Sequence, residues 1–98
     1  MADRLIVVAE VKAKAGLEAE LRKRVMALVA PTRREAGCVL YDLHECDAEP
    51  GRFLFYEIWA SRAAWDSHMK EPYLVDYVAH ADECLGEPGR VHTYAKIA

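Results

Sequence analysis

One short segment, Phe53-Leu54-Phe55-Tyr56-Glu57-Ile58-Trp59, strongly limits what this chain can fold into. Side chains alternate between the two faces of a β-strand, and here both alternating sets are largely apolar. An antiparallel sheet with one face in water would instead carry polar residues at every second position. The run Leu5-Ile6-Val7-Val8 repeats the pattern. We therefore expect helices to cover one face of the sheet and a second copy of the chain to cover the other, in a two-fold homodimer.

The predicted elements follow the order β-α-β-β-α-β. Runs rich in valine, isoleucine and aromatic residues predict strands, and apolar residues that recur every three or four positions predict helices. The strands are expected over 5–12, 38–45, 52–60 and 91–97. This order is typical of an α+β, ferredoxin-like fold with an antiparallel sheet, and we expect residues 1–98 to form a single domain.

The first helix and the hairpin turn are marked by proline and glycine. The helix is predicted to begin at Leu17, to kink at Pro31 and to stop at Gly37, because proline deletes a backbone hydrogen bond and glycine commonly follows the last helical residue. Pro50 and Gly51 suit the two central positions of a type II turn between the second and third strands.

The second helical region is predicted to come in two pieces. Ser61 is suited to cap a short helix that runs to Lys70, and Pro72 restarts the helix. The apolar residues of the second piece predict a stripe that faces inward: Leu74, Tyr77, Val78, Ala81 and Leu85.

The charge balance argues against two classes of partner. The chain has 13 Lys and Arg against 16 Asp and Glu, a net charge of −3 and no long basic block. This is not the basic surface that binds nucleic acid or an anionic membrane. The apolar run Leu5–Ala9 is too short for a signal-peptide core or a membrane span, so we expect a cytoplasmic protein.

The sequence has no recognisable cofactor or metal site. Glycine-rich phosphate loops are missing, and three histidines fall on different elements without ligand spacing: His44, His80 and His92. The cysteines form no C-x-x-C pair and are interpreted as small buried hydrophobes: Cys38, Cys46 and Cys84. We expect no cofactor.

Three residues are the main candidates for chemistry. Glu57 is a carboxylate within an apolar strand, and Trp59 shares its face of the sheet. His68 lies toward the buried edge of the next helix and could act as a general base. A buried ion pair at Glu57 and a hydrogen-bonded core histidine at His68 are the alternatives that involve no chemistry. Tyr41 and Tyr73 are candidate substrate contacts, although tyrosines more often belong to the core.

Three segments of the chain, taken together, resemble the antibiotic biosynthesis monooxygenase family. They are Thr32-Arg33-Arg34-Glu35-Ala36-Gly37-Cys38-Val39-Leu40-Tyr41, Phe55-Tyr56-Glu57-Ile58-Trp59-Ala60-Ser61 and Ala64-Trp65-Asp66-Ser67-His68. The resemblance implies a dimeric α+β barrel with a pocket between sheet and helices in each protomer. Members of this family that oxygenate polycyclic phenols or quinols do so without metal, haem or flavin, so the resemblance implies a cofactor-independent oxygenase.

Carried over by position, the strand Glu and Trp of the family fall on Glu57 and Trp59, and its helix His falls on His68. The resemblance then implies that His68 removes a phenolic proton from a small aromatic substrate. The anion formed is electron-rich enough to reduce O2. Glu57 is expected to be the polar partner of His68, and Trp59 a stacking wall for the substrate.

Other activities of the same superfamily give alternatives. Haem-degrading relatives carry an Asn where this chain has Ala9, and His68 stands where their Trp would be, so that only His80 could approximate their haem ligand. This departure argues against haem degradation. Isomerases of a small phosphorylated signalling sugar share the strand Tyr-Glu pair and the helix His that this chain has at Tyr56, Glu57 and His68. That activity stays open, as does a dimer that only binds a small ligand.

Overall fold

A four-stranded antiparallel sheet organises the chain, with strand order β2-β3-β1-β4. The computed structural model describes residues 3–98. Its elements are β1 (Leu5–Lys12), α1 (Glu18–Met26), α2 (Val29–Arg33), β2 (Cys38–Glu45), β3 (Arg52–Trp59), α3 (Arg62–His68), α4 (Pro72–His80), a 3-10 turn (Ala81–Glu83) and β4 (Arg90–Tyr94). The α+β, ferredoxin-like fold predicted from the sequence is confirmed.

The first helical region differs from its prediction. The chain breaks between α1 and α2 at Ala27 and Leu28, before Pro31. Pro31 is the third residue of α2, in the first turn of a helix, where backbone N–H groups have no partner within the helix. The proline is therefore accommodated without a kink at its own position.

The last strand is shorter than predicted and is shifted by one residue at its start. It covers Arg90–Tyr94, whereas 91–97 was expected. Tyr94 pairs with Ile6, and β1 begins at Leu5. Because β1 offers almost no further backbone beyond that pair, the last residues of the chain have no strand to join.

Two local predictions are confirmed by hydrogen bonds. Gly51 has φ +90° at the third position of the hairpin turn, and the Arg52 N–H donates to the Glu49 carbonyl oxygen at 3.1 Å. A type II turn needs a positive φ at that position. Ser61 Oγ accepts a hydrogen bond from the Ala64 N–H at 3.1 Å and so begins α3, the helix that carries His68.

The helices cover one face of the sheet. Val7, Phe55, Glu57 and Trp59 are buried beneath them. The opposite face, which we call the open face, is not buried in the single chain; its apolar members are Ile6, Val8, Leu40, Leu54, Tyr56, Ile58 and Tyr94. Val78, predicted to face inward, lines the space between the helices and the sheet, although it stays 56% exposed in the single chain.

Gly37 is required by the close approach of α3 to the sheet. A Cβ at this position would overlap the Cβ of Ala64. We expect Gly37→Ala to lower the free energy of unfolding by about 1–3 kcal/mol, as overpacking does. Urea denaturation measures this change. When residue 64 is glycine the clash is removed, so Gly37→Ala should cost less in the Ala64→Gly protein than in the wild type. A Gly37→Ala protein as stable as the wild type would contradict the packing argument.

Candidate functional site

A cavity of about 370 Å³ lies between the inner face of the sheet and helices α3 and α4. Its floor includes Val7, Ala9 and Val11 of β1, together with Phe55 of β3. Apolar side chains make most of the wall, and no lysine or arginine of residues 3–98 lines it. Besides the hydroxyl groups of Tyr41 and Tyr77, the wall carries two carboxyl groups and one imidazole: Glu57, Asp82 and His68.

His68 is held by a chain of hydrogen bonds. Its Nδ1 lies 2.8 Å from Oε2 of Glu35, and the Tyr73 hydroxyl donates to the same Oε2. Thr32 Oγ1 lies 3.1 Å from the Tyr73 hydroxyl oxygen and donates to it, because the single Tyr73 proton is already directed at Glu35. His68 is 2% exposed and Thr32 is fully buried. The chain of bonds therefore connects the loop after α2 with α3 and α4.

The prediction that Glu57 partners His68 is wrong. Oε1 of Glu57 accepts a hydrogen bond from Trp59 Nε1 at 2.8 Å, and the partner of His68 is Glu35. Glu57 and Trp59 do share a face of β3, as predicted. The Trp59 ring packs on the His68 imidazole with a centroid separation of 4.6 Å and an interplanar angle of 33°.

Glu35 was missed by the sequence reasoning. It follows Arg33 and Arg34 at the end of α2 and looks like part of a solvated charged run, yet its side chain is only 14% exposed. Its contact with His68 spans 33 positions, so no local spacing reveals it. The available signal was its place inside the segment 32–41, which carries part of the family resemblance.

The substrate contacts predicted from sequence fall into two groups. Tyr41 reaches the cavity wall and packs edge-on to His68, with ring centroids 5.8 Å apart. Trp59 and Tyr73 lie behind that wall. Trp59 packs on His68, and the Tyr73 hydroxyl donates to Glu35, the hydrogen-bond partner of His68. Burial raises the pKa of the Tyr41 hydroxyl far above its usual range, so this group stays protonated.

Burial of the Glu57 carboxyl raises its pKa to about 7, and the nearby negative charge of Glu35 acts in the same direction. The hydrogen bond from Trp59 opposes this rise in pKa without cancelling it. Glu57 is 4% exposed. The cavity wall therefore holds a carboxyl group that exchanges its proton near neutral pH.

This raised pKa makes stability depend on pH. The folded chain retains the Glu57 proton up to pH 7, whereas the unfolded chain releases it near the ordinary value of 4.5. The Glu57 proton therefore stabilises the folded chain fully below pH 4.5, and this contribution is lost as the pH rises from 4.5 through about 7. Relative to Glu57→Gln, the wild type should lose on the order of 2–3 kcal/mol between pH 4.5 and 7.5. Urea denaturation at several pH values measures it; a constant difference would contradict the assignment.

The remaining histidines and cysteines lie outside this cluster. His44, His80 and His92 are exposed on three different elements. Within residues 3–98, no three side chains of His, Cys, Asp or Glu are grouped so as to hold a metal ion. Cys84 is buried as predicted, while Cys38 and Cys46 are half-buried, and the three are free. No helix in this part of the chain combines the length and apolarity needed to cross a membrane.

The fold and the site define a class: small ferredoxin-like α+β domains with an apolar cavity and a histidine-carboxylate pair between sheet and helices. Residues 4–80 match the antibiotic biosynthesis monooxygenase family, and the chain belongs to that family.

Three proteins are similar to almost the whole of this chain. Protein sll1783 of Synechocystis is 33% identical over 96 residues, and the chain spans 98% of its own length but 65% of that protein. The protein named "Putative monooxygenase Rv0793" of Mycobacterium tuberculosis is 33% identical over 97 residues, which cover 99% of this chain and 95% of that one. The crystal structure of SO0527 from Shewanella oneidensis superimposes with a TM-score of 0.92 at 31% identity, covering 98% and 93% of the two chains.

Proposed function

We propose that this protein is a monooxygenase that acts on a small aromatic phenol or quinol and uses neither metal, haem nor flavin. The cavity supports the proposal most directly, because an apolar wall suits a planar aromatic molecule and His68 supplies a base within it. Family membership and the name of the Mycobacterium tuberculosis relative agree with an oxygenase.

His68 begins the proposed reaction. With Nδ1 bonded to Glu35, its Nε2 is the basic nitrogen and takes the proton of a bound phenolic hydroxyl. The phenolate gives electrons to O2, and a carbon–oxygen bond forms. The O–O bond and the C–H bond of the oxygenated carbon then break. One oxygen atom stays in the quinone product, and the other leaves as water with the proton from that carbon and the phenolic proton that His68 took. The quinol supplies all the electrons that oxygen accepts.

The charge of the cavity disfavours the isomerase alternative. A phosphorylated sugar carries roughly −1.5 to −2 charge at neutral pH and is usually bound by arginine or lysine. The wall instead carries the carboxyl groups of Glu57 and Asp82, and no lysine or arginine of the described chain lines it. A dimer that binds an aromatic ligand without turning it over remains compatible with the same cavity.

Oxygen consumption distinguishes the oxygenase from the binding protein. Purified protein is screened in an oxygen electrode with naphthohydroquinones and anthrones, with and without a chelator, against the spontaneous rate of each compound. We expect at least one compound to consume O2 faster with protein, and the chelator to make no difference. Uptake at the spontaneous rate throughout the panel would contradict the proposal. Stoichiometric iron, haem or flavin in the purified protein would contradict its cofactor-free form.

We also propose that the open face is the interface of a homodimer. Exposed contiguous apolar patches larger than a few hundred Å² are rare on monomers. Sedimentation at micromolar concentration should give twice the chain mass of 11.1 kDa. Tyr56→Lys, on the open face, should give a monomer. Val75→Lys, at an exposed position of α4, should leave the dimer intact. A wild-type protein that sediments as a monomer would refute the interface.

A further inference from the structure

Glu35 is a mostly buried carboxylate that is not paired with arginine or lysine in the part of the chain described. The neighbouring Arg33 is directed elsewhere, to the carbonyl oxygen of Tyr41 and to Asp42. The groups that bond to the Glu35 carboxylate are the His68 imidazole and the Tyr73 hydroxyl. Carboxylates are rarely withdrawn from water unless they are paired, so this arrangement calls for a role.

The bond from His68 to Glu35 determines which ring nitrogen carries the proton. An ionised carboxylate can only accept hydrogen bonds, so the Nδ1 that lies 2.8 Å from Oε2 must carry a hydrogen. In a neutral imidazole the other nitrogen, Nε2, then has the free lone pair. His68 lines the cavity and Glu35 does not. Because Glu35 occupies the Nδ1 edge of the ring, Nε2 is the ring nitrogen left for a molecule in the cavity.

Tyr73 and Thr32 hold the carboxylate in place. Burial and the hydrogen bond to Glu35 raise the pKa of Tyr73 to about 12, so its hydroxyl remains a donor at neutral pH. Thr32 is fully buried and donates to the Tyr73 oxygen. The Glu35 carboxylate thus bonds to both His68 and Tyr73, which leaves it little freedom to turn away from His68.

We propose that Glu35 is the positioning residue that keeps His68 in the Nδ1–H tautomer with Nε2 directed at the substrate. The consequence for turnover rests on the proposed function, but the tautomer itself does not. Tyr73 takes part as the group that orients Glu35. In this assignment Glu35 touches neither substrate nor O2.

The tautomer is measured without any substrate. Nitrogen-15 NMR of the ¹⁵N-histidine-labelled protein at pH 8 should show His68 with Nδ1 protonated and Nε2 unprotonated. Glu35→Gln should mix the two tautomers, and Tyr73→Phe should produce a smaller shift in the same direction. Asp66→Asn, an exposed carboxylate change on the helix that carries His68, should leave the His68 signals unchanged. A wild-type His68 protonated on Nε2, or the same tautomer in Glu35→Gln, would overturn the inference.

Turnover adds a second measurement once a quinol substrate is found. Because Glu35 stays outside the cavity, Glu35→Gln should lower kcat by about 100-fold or more, as a wrong histidine tautomer does in other enzymes, while KM stays near the wild-type value. A raised KM with an unchanged kcat would contradict a positioning role. If no quinol is oxidised, the proposed function fails while the NMR result still decides the tautomer.

Discussion

His68→Gln is expected to lower the turnover of a quinol substrate by about 100- to 10,000-fold, the usual contribution of a positioned general base. Glutamine keeps much of the volume of the imidazole but cannot take a proton at neutral pH. This matters because His68 is 2% exposed and packs on Trp59, so that alanine would also leave a void. Oxygen uptake under saturating substrate measures the loss.

The matched control is His80→Gln, since His80 is an exposed histidine on α4 that bonds within its own helix to Asp76. This variant should retain wild-type turnover. If His68→Gln instead loses stability and keeps its activity, His68 is a core histidine and the base must be another group. Glu57, whose carboxyl lines the same cavity, would then be the first candidate.

Trp59→Ala should cost about 3–5 kcal/mol of unfolding free energy, the usual loss when a buried tryptophan or phenylalanine becomes alanine. The Trp59 side chain is fully buried, packs on His68 and donates to Glu57. A domain of this size has roughly 5–15 kcal/mol in total, so the variant is expected to be partly unfolded in mild denaturant. Urea denaturation followed by circular dichroism measures the change.

Trp59→Phe separates packing from hydrogen bonding. It keeps an aromatic ring but removes the Nε1–H donor, so we expect a smaller loss of about 1–3 kcal/mol from the unpaired Glu57 oxygen. Trp65→Ala, which truncates a half-buried tryptophan on α3, should cost less than Trp59→Ala. A Trp59→Ala protein within 1 kcal/mol of the wild type, a difference of about fivefold in the folding equilibrium constant, would contradict the burial argument.

The sequence predicted well what depends on neighbouring residues. The order of elements, the turn at Gly51 and the cap at Ser61 all follow from local backbone preferences, and the structure confirms them. The side-by-side arrangement of Glu57 and Trp59 follows from strand alternation and is also confirmed. These features are local, so a short stretch of sequence contains the information.

The partner of His68 depends on how separate elements dock, and here the prediction failed. Glu35 reaches His68 because α3 packs closely over Gly37, and the helix period alone does not determine that approach. The position of the break between α1 and α2 was also not predicted: it lies at Ala27 and Leu28, and Pro31 falls in a first helical turn. Val78 was assigned to the inner stripe of α4 from its spacing; it lines the cavity but is 56% exposed in the single chain.

The hairpin turn at Pro50 and Gly51 has a consequence for chemistry far from the turn itself. It sets the register in which Tyr41 lies opposite Glu57 across β2 and β3. Because side chains alternate along a strand, a slip of one residue in β3 would carry Glu57 to the open face and bring a hydrophobic neighbour into the cavity. The register that begins at this turn thus keeps the Glu57 carboxyl on the cavity side of the sheet, and a slip of β3 would place a carboxylate in the proposed dimer interface.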